Sequence, residues 1–342
     1  MDWKQLNDRD AAAVDACEGG AVLFGRDDQL AVVAKGKHRQ RFLHAVTTQR
    51  LLEQAPNQLL WNTLCTSKGA LKGAWQQLLF DKHDVLWTDR AAAPGLIDAL
   101  LSYRVAERVK LSVDEELTQI EIIGSQALSV CQKVLGQALD PLVSDEPEAL
   151  ERVITVSHDD LQVTCWRLSL STLDGHLSGL SLQLPRSALA TIAGQFLTAG
   201  ATAGCFAARE VLRIRSGQTR LSLDLVEGST PLEMGIAQGV HLSKGCYLGH
   251  EALAMQSWRG QLRRHLCWLA PLNDAPLQSG EVMRAGARRA GWLGGGYVMP
   301  NGQRLGLGLV QRKYYEPDAE FQLQNGAQLR VIKTTVDGVW DS

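Results

Sequence analysis

The sequence predicts an α+β fold in two unequal parts, a mixed body over residues 1–257 and a small C-terminal β-barrel over 258–342. Three observations carry this. Strand and helix patterns mix through the first part without the strict βαβ alternation of a doubly wound sheet. Beyond Trp258 the texture changes to short apolar runs between glycine-rich turns. A chain of 342 residues, 45% hydrophobic, has enough apolar material for two or three cores.

In chain order, 29–33 reads as a short strand, and Gly36-Lys37 open a segment in which Phe42, Leu43 and Val46 recur at helical spacing. An apolar strand pattern at 59–65 leads into the Gly-Lys-punctuated stretch TSKGALKG, and a second strand is expected at 74–80. DKHD turns the chain into a strand at 85–88. Residues 92–104 form the first long helix, with Leu96, Leu100 and Leu101 on one face. Strands follow at 109–113 and 119–123, a helical stretch begins near Ser125, and 161–170 alternates before GLSLQLP. Helices are expected at 187–197 and 206–215. In the last part, FQLQNGAQLRV carries the Asn325-Gly326 dipeptide of a tight hairpin.

With 35 basic and 37 acidic residues the net charge is −2, which excludes a bulk-basic nucleic-acid binder but not a local basic patch. The charge is unevenly spread: 258–342 holds 11 Lys and Arg against 7 Asp and Glu, and the first 257 residues hold 24 against 30. Disorder is excluded as the main state by the apolar content. Seven cysteines, an odd number with no C-x-x-C pair, argue against a disulfide framework and a closed zinc site. The eight histidines include no H-x-x-x-H or H-E-x-x-H pair, so no metal site is expected. The N-terminus lacks a signal-peptide pattern and no apolar run reaches membrane-spanning length, which reads as a soluble cytoplasmic protein with no membrane partner.

The densest group of unusual residues is Ser243-Lys244-Gly245-Cys246-Tyr247-Leu248-Gly249-His250-Glu251. Its glycines, Gly245 and Gly249, permit close approach of a ligand. If a helix starts here, Cys246 lies at its N-terminus beside Lys244, two influences that lower a thiol pKa. His250 would then sit one turn away, within reach of the sulfur. Taken alone, Cys246 also fits a packed thiol in a glycine-rich turn. Upstream, Pro231 and Gly235 hold Glu233 on a stiff turn, where a fixed carboxylate can accept two parallel N–H bonds from an aminopyrimidine; a helix-capping glutamate is the plain alternative. Arg209, Arg213, Arg215 and Glu210 share a short helix, most simply as a solvated face. Trp258, Arg259, Arg263 and Arg264 form a basic-aromatic patch suited to phosphate or the glutamate tail of folate. GLGLV at 306–310 imitates a dinucleotide fingerprint without the following helix and is set aside.

KGCYLGHE resembles the K-G-C-Y-x-G-Q-E signature of the YgfZ family of folate-binding proteins, part of the wider glycine cleavage T-protein (GcvT-like) group. GKHRQRFLHAVTTQRL, CTSKGALKG, LLSYRVAERVKL, AAREVLRIRSG with TPLEMG, and RLGLGLVQRK agree with further family segments in the same order. The resemblance implies a three-lobed ring: two intertwined α+β lobes around a folate-sized cavity, plus a terminal β-barrel. It also implies a tetrahydrofolate-binding accessory factor for iron–sulfur cluster assembly or repair that supports iron–sulfur-dependent tRNA modification. Its partners would be folate and iron–sulfur proteins or their assembly machinery; direct contact with tRNA or a protein through the basic 258–342 region and Trp258–Arg264 is a separate, non-enzymatic reading. Cys246 would then be the functional thiol, assisted by Lys244 and His250. Glu233 would contact the pterin, with Gly245, Tyr247, Gly249, Glu251 and Arg259 completing the folate-binding set. Two departures stand out. The family's Gln is His250, which adds a titratable group. The Asp-Asp pair of the true aminomethyltransferases is missing, since Gly69-Ala70-Leu71-Lys72-Gly73-Ala74 has no carboxylate. That weakens the alternative of a folate-dependent aminomethyltransferase or demethylase, whose chemistry needs a general acid.

Overall fold

The computed structural model describes residues 2–143 and 150–335. The chain enters two lobes alternately. It starts with β1 (Lys4–Gln5), α1 (Asp8–Gly19) and β2 (Val22–Gly25), then crosses to a second lobe for β3 (Gln29–Lys35), α2 (Arg39–Val46), β4 (Gln58–Cys65), β5 (Leu71–Leu79), β6 (His83–Asp89), α3 (Ala93–Leu101) and β7 (Lys110–Asp114). It returns to the first lobe with β8 (Leu117–Ile123), α4 (Ala127–Leu135), α5 (Asp140–Val143), β9 (Val153–His158), β10 (Leu161–Thr172), β11 (Gly175–Pro185), α6 (Leu189–Thr198), β12 (Thr202–Ala203) and α7 (Phe206–Arg215). Next come α8 (Leu221–Asp224), a long irregular stretch and α9 (His250–Trp258). The chain finishes with β13 (Arg264–Pro271), β14 (Val282–Ala285), β15 (Arg288–Val298), β16 (Arg304–Gln311), β17 (Glu320–Gln322) and β18 (Gln328–Thr334).

The first lobe is a six-stranded sheet ordered β12-β2-β8-β11-β10-β9, and the second a five-stranded sheet ordered β4-β5-β6-β3-β7. Because β2 and β8 are neighbours while everything between them builds the other sheet, the lobes are intertwined as expected. The sheets pack through Ala31, Leu78 and Trp87 of one against Val153 and Trp166 of the other, all at 2% exposure or less. The helices bury apolar faces in the expected way: Leu96 and Leu100 of α3 join Trp75 and Leu86 in the second lobe's core.

Strands β13–β18 close on themselves, since β15 pairs with both β14 and β16 while β13 pairs with both β16 and β18. The expected turn at Asn325-Gly326 lies between β17 and β18, and Asn325 Oδ1 accepts the Ala327 N–H at 3.0 Å. The N-terminus joins this barrel: β1 pairs in parallel with β15, and Trp3 donates its indole N–H to the Gly294 carbonyl. One glycine in each of LGGGY and GLGLV is explained by that indole. A Cβ at Gly296 or Gly306 would lie 2.2 Å from Trp3 ring atoms, so these positions must stay bare for the tryptophan to plug the barrel. A sequence-local view of residues 2–6 gives no sign of this.

Candidate functional site

Between the lobes lies a cavity of about 240 Å³, with Gln119 and Glu121 of β8 and Arg209 and Arg213 of α7 on one side and Trp61 and Trp87 on the other. Alternation along β8 explains the polar wall: Ile120 and Ile122 turn into the first lobe's core, so Gln119 and Glu121 face the other way. The volume is near the lower end of small-molecule cavities, room for a bicyclic head group with its tail outside.

The wall is a continuous set of ion pairs. Glu121 sits between Arg26 and Arg209, the latter with Nε 2.5 Å from its carboxylate. Asp28 holds Arg26 at 2.9 Å and Arg220 at 3.0 Å. Glu210 holds Arg220 at 2.7 Å and Arg213 at 3.1 Å, and Asp224 takes the other arm of Arg213 at 2.7 Å. Asp224 also accepts the Gly295 N–H at 2.6 Å, which ties the network to the barrel. Burial opposes ionisation of Glu121, but Arg209 and Arg26 outweigh it and hold the carboxyl below its usual range. Asp28 is lowered in the same way, with Arg26 and Arg220 overcoming burial. The expected solvated face on 206–215 is corrected by this: Arg209, Glu210 and Arg213 are all 5% exposed or less. Two polar atoms of the wall are buried and unpaired, Gln119 Oε1 and Arg213 Nη2. Such orphans are rare in native proteins, and one acceptor and one donor beside indole surface fit the polar edge of a flat heterocycle such as a pterin.

Glu233 lies elsewhere. Thr230-Pro231-Leu232-Glu233 is a capping box: Glu233 Oε2 accepts the Thr230 N–H at 3.0 Å and Thr230 Oγ1 accepts the Glu233 N–H at 3.3 Å. Arg264 closes on the same carboxylate at 2.8 Å and 3.3 Å. Glu233 is 1% exposed and is not among the residues lining the cavity; in this structure its carboxylate pins the turn to the barrel. The capping-box pattern, T-x-x-E, was legible; its arginine partner, 31 residues on, was not.

In the KGCYLGHE segment, α9 begins at His250 with Gly249 as its N-cap at φ +81°, four residues later than a start at Cys246. A Cβ at Gly249 would lie 2.6 Å from the Thr66 carbonyl oxygen, so this glycine is required. Lys244 does not face the thiol: its ammonium donates to the carbonyls of His44, Thr47 and Gln49, the last two at 2.5 Å and 3.0 Å. Burial pushes its pKa down to about 8, while carbonyls at the C-terminal end of α2 favour the charged form. Its Nζ also lies 4.8 Å from the Tyr247 ring centroid. His250 is likewise engaged, with Nε2 2.7 Å from the Leu242 carbonyl and its ring 4.9 Å from Tyr247. Tyr247 is buried with its hydroxyl unpaired, Gly245 has φ +105°, and Glu251 occupies the first turn of α9. Arg259 caps the far end of α9 and is exposed.

The cysteines then sort by burial. Burial pushes the thiols of Cys17, Cys65, Cys165 and Cys267 up to about 12 and Cys131 well above its usual value, and Cys205 donates to Asp10 at 2.9 Å. Cys246 alone of the seven is exposed. It is not among the cavity-lining residues. No group of three or more His, Cys, Asp and Glu among the described residues is arranged to hold a metal, and no described helix is long and apolar enough to cross a membrane.

No family profile matches the chain. It is 24% identical over 330 residues to an aminomethyltransferase of Caldanaerobacter subterraneus, covering 93% of this chain and 82% of that one. It is 25% identical over 317 residues to the tRNA-modifying protein YgfZ of Shigella boydii, covering 90% of each, and 24% identical over 255 residues to the YgfZ protein of Colwellia psychrerythraea, covering 74% and 72%. The glycine cleavage system aminomethyltransferase T of Bartonella henselae has the same fold, with a TM-score of 0.75 over 94% of this chain and 88% of that one at 17% identity. The KGCYLGHE segment, the intertwined lobes and these end-to-end similarities together make the chain similar to the YgfZ family within the wider T-protein-like (GcvT-like) group.

Proposed function

We propose that this protein is a cytoplasmic tetrahydrofolate-binding accessory factor for iron–sulfur cluster assembly or repair, which thereby supports iron–sulfur-dependent tRNA modification, with Cys246 as its functional thiol. The observation that carries the reading is the contrast within its own cysteine set: six thiols are buried or bonded, and the one in KGCYLGHE stands in solvent on a loop fastened at both ends. Relatives named as tRNA-modifying proteins support the setting, and relatives named as aminomethyltransferases support the folate. The working division is a folate-binding region over 1–257 and a barrel domain over 258–342.

In this proposal the cavity binds the pterin head group, Gln119 Oε1 accepts one of its N–H donors, Arg213 Nη2 donates to an acceptor, and the tryptophans exclude water. Tetrahydrofolate when bound supplies a carrier for one-carbon units. Lys244 and His250 act by holding the loop's backbone, so Cys246 stays accessible to a client protein. Gly245 and Gly249 give the loop its shape, Tyr247 anchors it, and Glu251 and Arg259 complete α9 beside it. The aminomethyltransferase alternative is disfavoured by the same wall. A general acid must hold a proton to give, and Glu121, kept ionised by two arginines, does not.

Two measurements test this. In cells lacking the protein, Cys246→Ser is expected to leave iron–sulfur-dependent tRNA methylthiolation unrestored; full restoration would remove the thiol from the function. In calorimetric titration with tetrahydrofolate, Gln119→Leu is expected to weaken binding about tenfold, the worth of one buried hydrogen bond, whereas equal affinity would place the ligand elsewhere.

A further inference from the structure

We infer that one end of the barrel is a docking surface for the phosphodiester backbone of RNA, with Trp292 as a platform for an unpaired base. This rests on the tRNA-linked reading above and specifies where the contact is made. An open groove of about 750 Å³ is lined by Arg263, Arg264, Arg289, Arg312, Lys313 and Trp292, with no carboxylate among its lining residues. The residues are far apart in sequence and are gathered by the barrel's strand order, in which β16 lies between β13 and β15. Register fixes the arrangement: Arg264 pairs with Gln311, and Trp292 with Leu309.

Arg264 is neutralised by Glu233, so it shapes the groove and adds no net charge. Arg263, Arg289, Arg312 and Lys313 are exposed and form no ion pair among the described residues. Four uncompensated cations on a chain of net charge −2 are a local positive field that attracts a polyanion. The Trp292 ring is half-buried, with guanidinium carbons 4.5 Å (Arg289) and 5.7 Å (Arg264) from its centroid. An indole flanked by cations offers a base both a stacking face and phosphate partners. A membrane surface fits less well, because no residue of the groove is among the exposed large apolar side chains, and insertion into lipid needs them.

The test uses the purified full chain and an unmodified tRNA transcript, with fluorescence anisotropy followed between 50 and 200 mM salt. Four phosphate contacts predict that affinity falls with a log–log slope of about −3. Arg289→Glu with Arg312→Glu is expected to weaken binding at least tenfold and flatten the slope by about 2, with thermal melting as the control for folding and Lys313→Glu as a second variant. Unchanged RNA affinity in both variants would overturn this surface while leaving the tRNA-linked reading intact. If the variants lose RNA binding yet fully restore tRNA methylthiolation in cells, the surface stands and the tRNA-linked reading falls. Wild-type protein that binds phosphatidylcholine–phosphatidylserine vesicles or polyglutamate but not the transcript would overturn the assignment in favour of lipid or an acidic protein.

Discussion

Around the cavity, the arginines and carboxylates of the linked network are each bound to another charged group, and Gln119 Oε1 and Arg213 Nη2 are left open. In the 243–250 segment the pattern is reversed: the cation and the imidazole spend their bonds on backbone carbonyls, and the thiol beside them is left open to solvent. The first region is a buried, charge-paired wall around a cavity. The second is a fastening that leaves one thiol exposed. Buried pairs are costly to break and exposed thiols are nearly free to change, so the two regions should respond very differently to substitution.

The largest expected effect is on the wall. Arg209→Met leaves Glu121 buried with one partner fewer and should destabilise the protein by about 3–5 kcal/mol, read as a shift in chemical denaturation; a loss below about 1 kcal/mol would mean that water reaches Glu121. Trp3→Ala should follow at about 3 kcal/mol, since the bare glycines around the indole cannot fill the space. Next is Lys244→Met, which strips three carbonyls of their donor and should lower stability by about 1–3 kcal/mol while changing the rate at which Cys246 reacts with iodoacetamide; an unaltered rate would separate the fastening from the thiol. The smallest effect is Cys246→Ser itself, within about 0.5 kcal/mol on stability but abolishing fast alkylation of the native protein.

Acid separates the regions in another way. Asp28 and Glu121 have folded pKa values below those of the unfolded chain, so between the two values the unfolded state binds more protons and stability rises with pH. Their contribution is complete above the usual carboxylate range near pH 4 and is lost as pH falls below it. Stability should therefore drop on acidification in the wild type and drop less steeply in Arg209→Met, as followed by denaturant titration at a series of pH values.

The order and type of most elements were legible, because apolar periodicity at 59–65, 92–104 and 161–170 is a local signal that burial in β4, α3 and β10 preserves. So was Cys246, through the unusual company it keeps. Less legible was the wall. Gln119 and Glu121 read as a strand, and two polar residues alternating with Ile120 and Ile122 were the available sign of a polar interior face. Glu233 was singled out for its stiff turn, but its role depends on Arg264, 31 residues away.

By itself, the sequence determined the mixed α+β body, the closed terminal barrel, and the family to which KGCYLGHE and its companion segments point, since these depend on local periodicity, turn chemistry and short contiguous motifs. Only the tertiary structure decided that Arg209, Glu210 and Arg213 line a buried wall instead of a wet helix face, that Lys244 holds α2 and not the thiol, and that Trp3 plugs the barrel. A charge's role depends on what lies within a few ångströms of it, and those neighbours come from strands and helices tens to hundreds of residues away.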